Sequence, residues 1–413
     1  VTRLGRDNLG AFALFGAALA AAGLPIYIYA PPYYAENFGV SLTAIAAVLF
    51  WLRLFDAVQD PLFGWVSERL GPRRRPAILG AAVIMALSMI GLFAITPPIA
   101  PLAWFAITLL GLFSSFSFLT INFYAQGVDK AASVKGGHFG VAAWRETGAL
   151  LGVCIAAVAP AVLALIFGAP YAAFALGFAA VVGLAVLAMH REWSGVVQMD
   201  STPIGLLLQD KTTRRLLVLA LVNAMPVAVS STLFLFFVVH RLDAPGWEGP
   251  LLVLFFLSGA ISAPVWGRLA ARFGGREVLL VAMVLAMISF AFTLFLEEGD
   301  TLWFALVCIA SGATIGADLT LLPALFARHI ATTFPSAGQG FGLWSFVNKS
   351  TLAFAAIVLF PILEMTGFDA QSSDQPVDAL KTLTILYALV PLGLKLLAFG
   401  LALAIRFEEK EKT

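Results

Sequence analysis

Apolar residues gather along this chain in long runs separated by short polar stretches, and the pattern recurs twelve times. The runs fall at about 9–33, 41–66, 77–97, 102–126, 138–162, 170–190, 215–240, 249–271, 277–297, 301–327, 338–363 and 383–406. A helix needs about twenty residues to cross the hydrocarbon of a bilayer. A strand of a membrane barrel needs about ten and alternates apolar with polar positions. These runs are long and do not alternate, so the pattern predicts twelve transmembrane helices. Proline interrupts several of them: Pro25, Pro31 and Pro32 in the first, Pro226 in the seventh, Pro264 in the eighth and Pro323 in the tenth. Each removes a helical hydrogen bond and bends the axis.

Composition agrees with a membrane chain. Of 413 residues, 61% are hydrophobic and 12% charged, against about 25% charged in soluble proteins. Mean hydropathy is +0.94. A soluble domain has no place for so many apolar side chains, whereas a polytopic protein turns them toward lipid. The net charge of +1 gives no field for nucleic acid. Cys154 and Cys308 lie inside apolar runs and read as small buried hydrophobes. His138, His190, His240 and His329 are far apart in sequence and suggest no metal cluster. Arg3 and Arg6 precede the first run, which continues past Tyr29 and reads as a membrane helix rather than a cleaved signal. No loop is large enough for an enzymatic domain, and no cofactor motif or nucleophile arrangement is found, so neither enzyme chemistry nor a cofactor is expected.

Charge position sets the orientation. With both termini cytoplasmic, the inner segments hold Arg3, Arg6, Arg69, Arg73, Arg74, Arg75, Lys130, Lys135, Arg191, Lys211, Arg214, Arg215, Arg268, Arg272, Arg276, Arg328, Arg406, Lys410 and Lys412. The outer loops hold only Arg241 and Lys381, and the loop 364–381 carries Glu364, Asp369, Asp374 and Asp378. That is a positive-inside bias, and a bacterial cytoplasmic (inner) membrane is the expected location. A polar stretch at 191–214 divides the chain into an N-terminal six-helix half, 1–190, and a C-terminal half, 215–413. The loops after the second and eighth runs echo each other: Gly64-Trp65-Val66-Ser67-Glu68-Arg69-Leu70-Gly71 and Gly267-Arg268-Leu269-Ala270-Ala271-Arg272-Phe273-Gly274. Internal repeats of this kind are common in secondary transporters.

The chemistry lies in charged residues inside the runs. Asp56 and Asp60 are four apart and share a helical face, with Arg53 on the same side and Gln59 beside it. An ionised group at the bilayer centre costs about 2.5–3.5 kcal/mol on insertion scales and persists where it faces an interior, pairs or binds something. Two close carboxylates resist joint ionisation unless a cation or base neutralises them. Asp56, Asp60 and Gln59 are therefore candidates for coupling to a proton or a sodium ion, against the bland alternative of an Arg53–Asp56 salt bridge. Lys349, about eleven residues into its run, needs a carboxylate, and Asp56 or Asp60 is the expected partner across the halves. Arg145 is expected to point at a cavity, because Glu146 falls on a different face. Asp318 is a further buried acid, for coupling, ligand contact or local pairing. Lys395 is either an interior charge or a snorkelling one. Tyr124, Trp144 and Trp344 offer aromatic faces for a solute, and Asn122 and Gln126 add polar capacity. Tyr33 and Tyr34 read as an interfacial belt.

The stretch Arg53–Trp65, followed by Ser67-Glu68-Arg69 and Gly71-Pro72-Arg73-Arg74-Arg75-Pro76, resembles the glycoside–pentoside–hexuronide:cation symporters, the melibiose-permease branch of the major facilitator superfamily. Asp56, Asp60-Pro61 and Gly64-Trp65 match the family's second helix. Lys349, after Gly338-Gln339-Gly340-Phe341-Gly342, matches its eleventh-helix lysine, and Arg145 its fifth-helix arginine. Asn122-Phe123-Tyr124-Ala125 resembles its Asn-Ile-Pro-Tyr element, with Phe123 in place of the small and proline residues. The resemblance implies an all-α fold of 12 transmembrane helices in two pseudo-symmetric halves and alternating access. It also implies symport of a sugar or other small solute with Na+ or H+, by a monomer among membrane lipids. The chain departs from the sugar-carrying pattern in having no acid between Leu9 and Tyr34 and none around Thr120 and Asn122. A less hydroxylated or lipid-like solute, proton-coupled export, and a non-transporting sensor therefore stand as alternatives.

Overall fold

The computed structural model describes residues 8–193, 201–368 and 375–405. Arg3, Arg6, Asp369, Asp374, Arg406, Lys410 and Lys412, which entered the charge-bias argument, lie outside the described residues. Among those residues the fold is all helical and contains 12 helices long and apolar enough to cross a membrane. They are α1 (Leu9–Ile28), α2 (Leu42–Arg69), α3 (Gly71–Phe93), α4 (Pro101–Ala131), α5 (Gly137–Ala164), α6 (Pro170–Met189), α7 (Lys211–Arg241), α8 (Glu248–Phe273), α9 (Gly275–Phe295), α10 (Thr301–Thr333), α11 (Gly338–Glu364) and α12 (Val377–Ala404). Large apolar side chains such as Ile155, Leu187, Ile261 and Trp303 are exposed on their outer faces, as lipid-facing positions require.

Sequence and structure differ at several ends, each for a local reason. The first membrane helix stops at Ile28, and Pro31 and Pro32 lie in the opening turn of a separate helix, Ala30–Phe38. Proline has no N–H to lose there and its φ is already helical, so these two start a helix rather than interrupt one. Tyr34 is fully buried and meets the Phe105 ring at 4.8 Å between centroids, so it is core, not an interfacial belt. Helix α12 starts earlier than its apolar run, because a polar turn from Val377 to Thr384 extends it. Helix α2 is capped by Ser41, whose Oγ accepts the Ala44 N–H at 3.2 Å. Before α7, Asp210 accepts the Thr213 N–H at 2.6 Å and pairs with His329 at 2.8 Å. Burial alone would raise this carboxyl, but the Thr213 amide and the His329 ring outweigh it and hold it below the usual range.

Two compact units emerge: residues 1–204 with 330–346, and 205–329 with 347–413. In the first, α1 lies against α5 at small residues. A Cβ on Gly16 would sit 2.6 Å from the Arg145 carbonyl oxygen, and Gly148 and Gly152 abut the backbone of Ala13 and Ala17. In the second, Gly312 and Gly316 of α10 abut α8 at Phe255 and Gly259. Both pairs are spaced four apart, the small-residue stripe that lets membrane helices approach closely. Phe12 and Phe15 close on Phe123 in the first core. Phe237 stacks on Tyr387 at 4.1 Å in the second. These approaches fix the rotation of α5 and α10, and so the direction of the charged residues they carry.

Candidate functional site

Helix α2 has two faces. Phe55, Val58 and Leu62 are exposed on one. On the other, Asp56, Gln59 and Asp60 are buried, Asp60 completely (0% exposed) and Asp56 nearly so (7%). The helical repeat dictates this division, since positions 56, 60 and 64 stack on one side. Asp56 Oδ1 accepts the Ser117 hydroxyl at 2.6 Å and the Gln59 amide N–H at 3.0 Å. Ser114 donates to Gln59 Oε1 at 2.9 Å. Two serines of α4 thus hold the acid–amide pair of α2. Pro61 follows Asp60 and has no N–H for the carbonyl one turn earlier. Carboxylate, amide and hydroxyl oxygens form a donor set suited to a hard cation or a proton and not to a soft metal.

Further along the same face, α2 meets the start of α11. A Cβ on Gly64 would sit 2.7 Å from the Gly338 carbonyl oxygen, and one on Gly342 would sit 2.8 Å from the Asp60 carbonyl oxygen. Glu68 terminates the row. Its Oε1 accepts the Gln339 backbone N–H at 2.8 Å, and its Oε2 accepts Gln339 Nε2 at 2.9 Å and the Thr202 N–H at 3.1 Å. Thr202 and Ser336 share a hydroxyl contact at 2.9 Å. The carboxylate therefore sits at the N-terminus of α11, where free amides and the helix dipole favour negative charge. Removing it leaves the backbone and side-chain amides of Gln339 short of an acceptor, whereas the Thr202 N–H keeps the Ser336 hydroxyl at 3.1 Å. Glu68→Ala is expected to lower stability by about 2 kcal/mol and Glu68→Gln by less. An unchanged thermal midpoint for Glu68→Ala would remove the assignment.

Other candidates separate into groups. Arg145 is buried and does bind Glu146, Nε to Oε1 at 2.7 Å, with its guanidinium 3.6 Å from the centre of the Tyr124 ring. The expectation that Glu146 lay out of reach is corrected. Face geometry places the Cβ atoms apart, but arginine is long enough to fold back along the helix. Tyr124 donates to the same Glu146 oxygen at 3.1 Å and packs on Phe341 at 5.2 Å. Arg145 Nη2 has no hydrogen-bond partner among the described residues. Asn122 is committed: its Oδ1 accepts Ser67 Oγ at 2.8 Å and Arg74 Nε at 2.9 Å, and its Nδ2 donates to the Phe118 carbonyl at 2.8 Å. Arg53 lies over the Tyr27 ring at 5.1 Å. Trp144 is half-exposed (49%) and turned away from buried Arg145, whereas Trp344 is buried. Lys349 is partly buried on the part of α11 that belongs to the second unit.

Asp318 belongs to the second unit and is bonded there to Lys395, whose Nζ also donates to Asn223 Oδ1 at 2.7 Å. Lys395 is therefore an interior charge (6% exposed), not a snorkelling one. Ser114, Ser117 and Asn223 were not singled out from sequence, and Glu146 entered only as a neighbour on another face. Serine and asparagine are ordinary in membrane helices, and only a lysine deep in an apolar run pointed toward this group.

Comparison with known proteins gives consistent results. The family described as MFS/sugar transport protein matches residues 11–408. The glucuronide carrier protein homolog of Escherichia coli (strain K12) is 25% identical over 393 residues, covering 89% of this chain and 85% of that protein. The putative glycoside/cation symporter YagG of the same organism is 25% identical over 394 residues, covering 88% and 83%. In fold, the chain is similar to the crystal structure of a bacterial homologue of the iron transporter ferroportin in an outward-facing state. The TM-score is 0.69 at 14% identity, with 98% of this chain and 99% of that one covered.

Proposed function

The chain belongs to the MFS/sugar transport protein family and is an integral, multi-pass membrane transporter of the major facilitator superfamily, not an enzyme; from that premise we propose that it is a cation-coupled symporter of a small solute, a sugar or glycoside, working by alternating access. Asp56 and Asp60 are the coupling carboxylates, Gln59 assists them, and Na+ or H+ is the coupling ion. One observation carries this reading: two acids buried on one face of α2, one turn apart, with the Ser117 hydroxyl of α4 turned to Asp56 and that of Ser114 to the neighbouring Gln59. An oxygen-lined acid pair is suited to take up a cation and release it. The names of the two Escherichia coli relatives, a glucuronide carrier homolog and a putative glycoside/cation symporter, agree with it.

Lys349 supplies the positive charge of the cycle when the coupling ion is absent. Arg145 and Tyr124 form the edge of the solute site in the first unit, supported by the partnerless Arg145 Nη2 and the cation–ring contact. Arg53, Asn122, Trp144 and Trp344 are the further proposed solute contacts of that unit, and Asp318 is a proposed contact of the second unit by itself. The protein acts as a monomer in a bacterial cytoplasmic membrane with both termini inside, as the basic stretch Arg73–Arg75 after α2 supports.

Purified protein in sealed proteoliposomes tests the proposal. An inward Na+ or H+ gradient is imposed and uptake of labelled sugars, glycosides and glucuronides is followed. Accumulation above the external concentration under one of the two gradients is expected. Equilibration without accumulation under both would overturn cation coupling.

A further inference from the structure

The second unit contains a buried ion pair that the coupling carboxylates of α2 do not explain. Asp318 of α10 and Lys395 of α12 are bonded to each other, and Lys395 also donates to Asn223 of α7. Asp318 and Lys395 border a cavity of about 80 Å³, enough for several waters or one small carboxylate head, and Asn223 holds the ammonium from behind. Its hydroxyls are already spent as donors. Ser230 donates to the Pro226 carbonyl at 3.0 Å, Ser311 to the Val307 carbonyl at 2.6 Å and Thr314 to the Ser311 carbonyl at 2.7 Å. Asp318 Oδ1 is buried with no hydrogen-bond partner among the described residues. The ammonium has three hydrogens, and the Asn223 and Asp318 bonds use two of them.

Among the described residues, Asp318 and Lys395 are the only charged ones lining the cavity. Around them α7 brings Asn223 and Ser230, α8 brings Phe255 and α9 brings Met287 and Phe290, none of which titrates near neutral pH. Such walls make any uncompensated charge costly. A proton on Asp318 alone would leave the ammonium without its counter-charge. An anion beside Lys395 alone would face the Asp318 carboxylate. Together the two leave the net charge of the cavity unchanged.

We propose that Asp318, Lys395 and Asn223 form a binding site for the carboxylate of an anionic solute, taken up together with one proton. The proton comes from water and bonds to Asp318. Lys395 keeps its three hydrogens and transfers its ion pair from Asp318 to the incoming carboxylate. Asn223 holds the ammonium through the exchange. This deepens the symport reading by naming an acidic solute, and it rests on that reading only for its place in transport.

The test is equilibrium binding to the purified full chain in detergent, without any gradient, using glucuronate as probe and glucose as the uncharged control. One proton bound with the ligand makes glucuronate affinity rise about tenfold for each pH unit lowered. Glucose binding should show no such slope. Asp318→Asn should bind glucuronate with no pH slope, and Lys395→Gln should lose glucuronate. If either single variant fails to fold, the charge-free pair Asp318→Asn with Lys395→Gln is expected to fold and to bind no glucuronate. Glucuronate binding that survives in a Lys395→Gln protein, a pH slope that survives in Asp318→Asn, or absence of glucuronate binding to the unmodified chain would each overturn the proposal. Failure here with intact gradient-driven glycoside uptake would sink the acidic-solute site alone. A normal slope here with no gradient-driven uptake would sink the symport reading alone.

Discussion

Asp60→Asn is expected to abolish gradient-driven accumulation while leaving solute exchange across the membrane largely intact. Asparagine keeps the shape of the side chain but neither takes a proton nor offers a full charge to a cation. Asp60 is wholly buried on α2, one turn from Asp56. A carboxylate within about 5 Å of a bound cation, at an effective dielectric constant of about 20, contributes about 3 kcal/mol. Its loss corresponds to roughly a hundredfold weaker cation binding, enough to break the link between ion and solute. Asparagine keeps the volume of the buried side chain, so Asp60→Asn is expected to fold, and its thermal midpoint is measured beside that of the unmodified chain. Asp56→Asn should act in the same direction but less strongly, because the Asp56 oxygen already shares its charge with Ser117 and Gln59. The measurement is a comparison of concentrative uptake with counterflow in the same vesicles. Concentrative uptake by Asp60→Asn at the normal level would remove Asp60 from the coupling machinery.

Much of this was legible in the letters, for identifiable reasons. Twelve long apolar runs leave few alternatives to twelve helices, and the spacing of Asp56 and Asp60 places them on one face whatever surrounds them. What the runs do not show is where a helix stops for a reason other than polarity. Pro31 and Pro32 read as breaks but open a helix, and the polar turn after Pro376 reads as loop but extends α12. Side-chain length is equally invisible to a face argument, as the Arg145–Glu146 contact shows. Pairing across distant sequence is the largest gap. Lys395 reaches Asp318 and Asn223 over separations of 77 and 172 residues, and no spacing rule connects them. The serines that hold Asp56 and Gln59 were hidden by being common. The buried carboxylate of Glu68 stood in a motif quoted for its resemblance, but its role at the start of α11 needed the backbone.

Removing one member of the Asp318–Lys395 pair is expected to cost far more than removing both. Lys395→Met would leave the Asp318 carboxylate beside the apolar walls of its cavity with no counter-charge. Asp318→Leu would leave the ammonium with only the Asn223 oxygen. Breaking a buried pair from one side costs about 3–5 kcal/mol, whereas replacing both partners with apolar groups of similar volume is often neutral or stabilising. Each single variant should therefore show a large fall in thermal midpoint, and the double variant should recover most of it. Because unfolding of a membrane protein is commonly irreversible, midpoints at one scan rate are the proper comparison. The size of the recovery separates two roles for the pair. A double variant that is as stable as the unmodified chain and still binds glucuronate would make the pair a dispensable internal bridge. A stable double variant that binds none would show that the chain keeps two costly buried charges for the ligand they meet. Single variants that lose almost nothing would mean that water reaches both charges freely, and the low-dielectric argument for joint proton and anion uptake would fail with it.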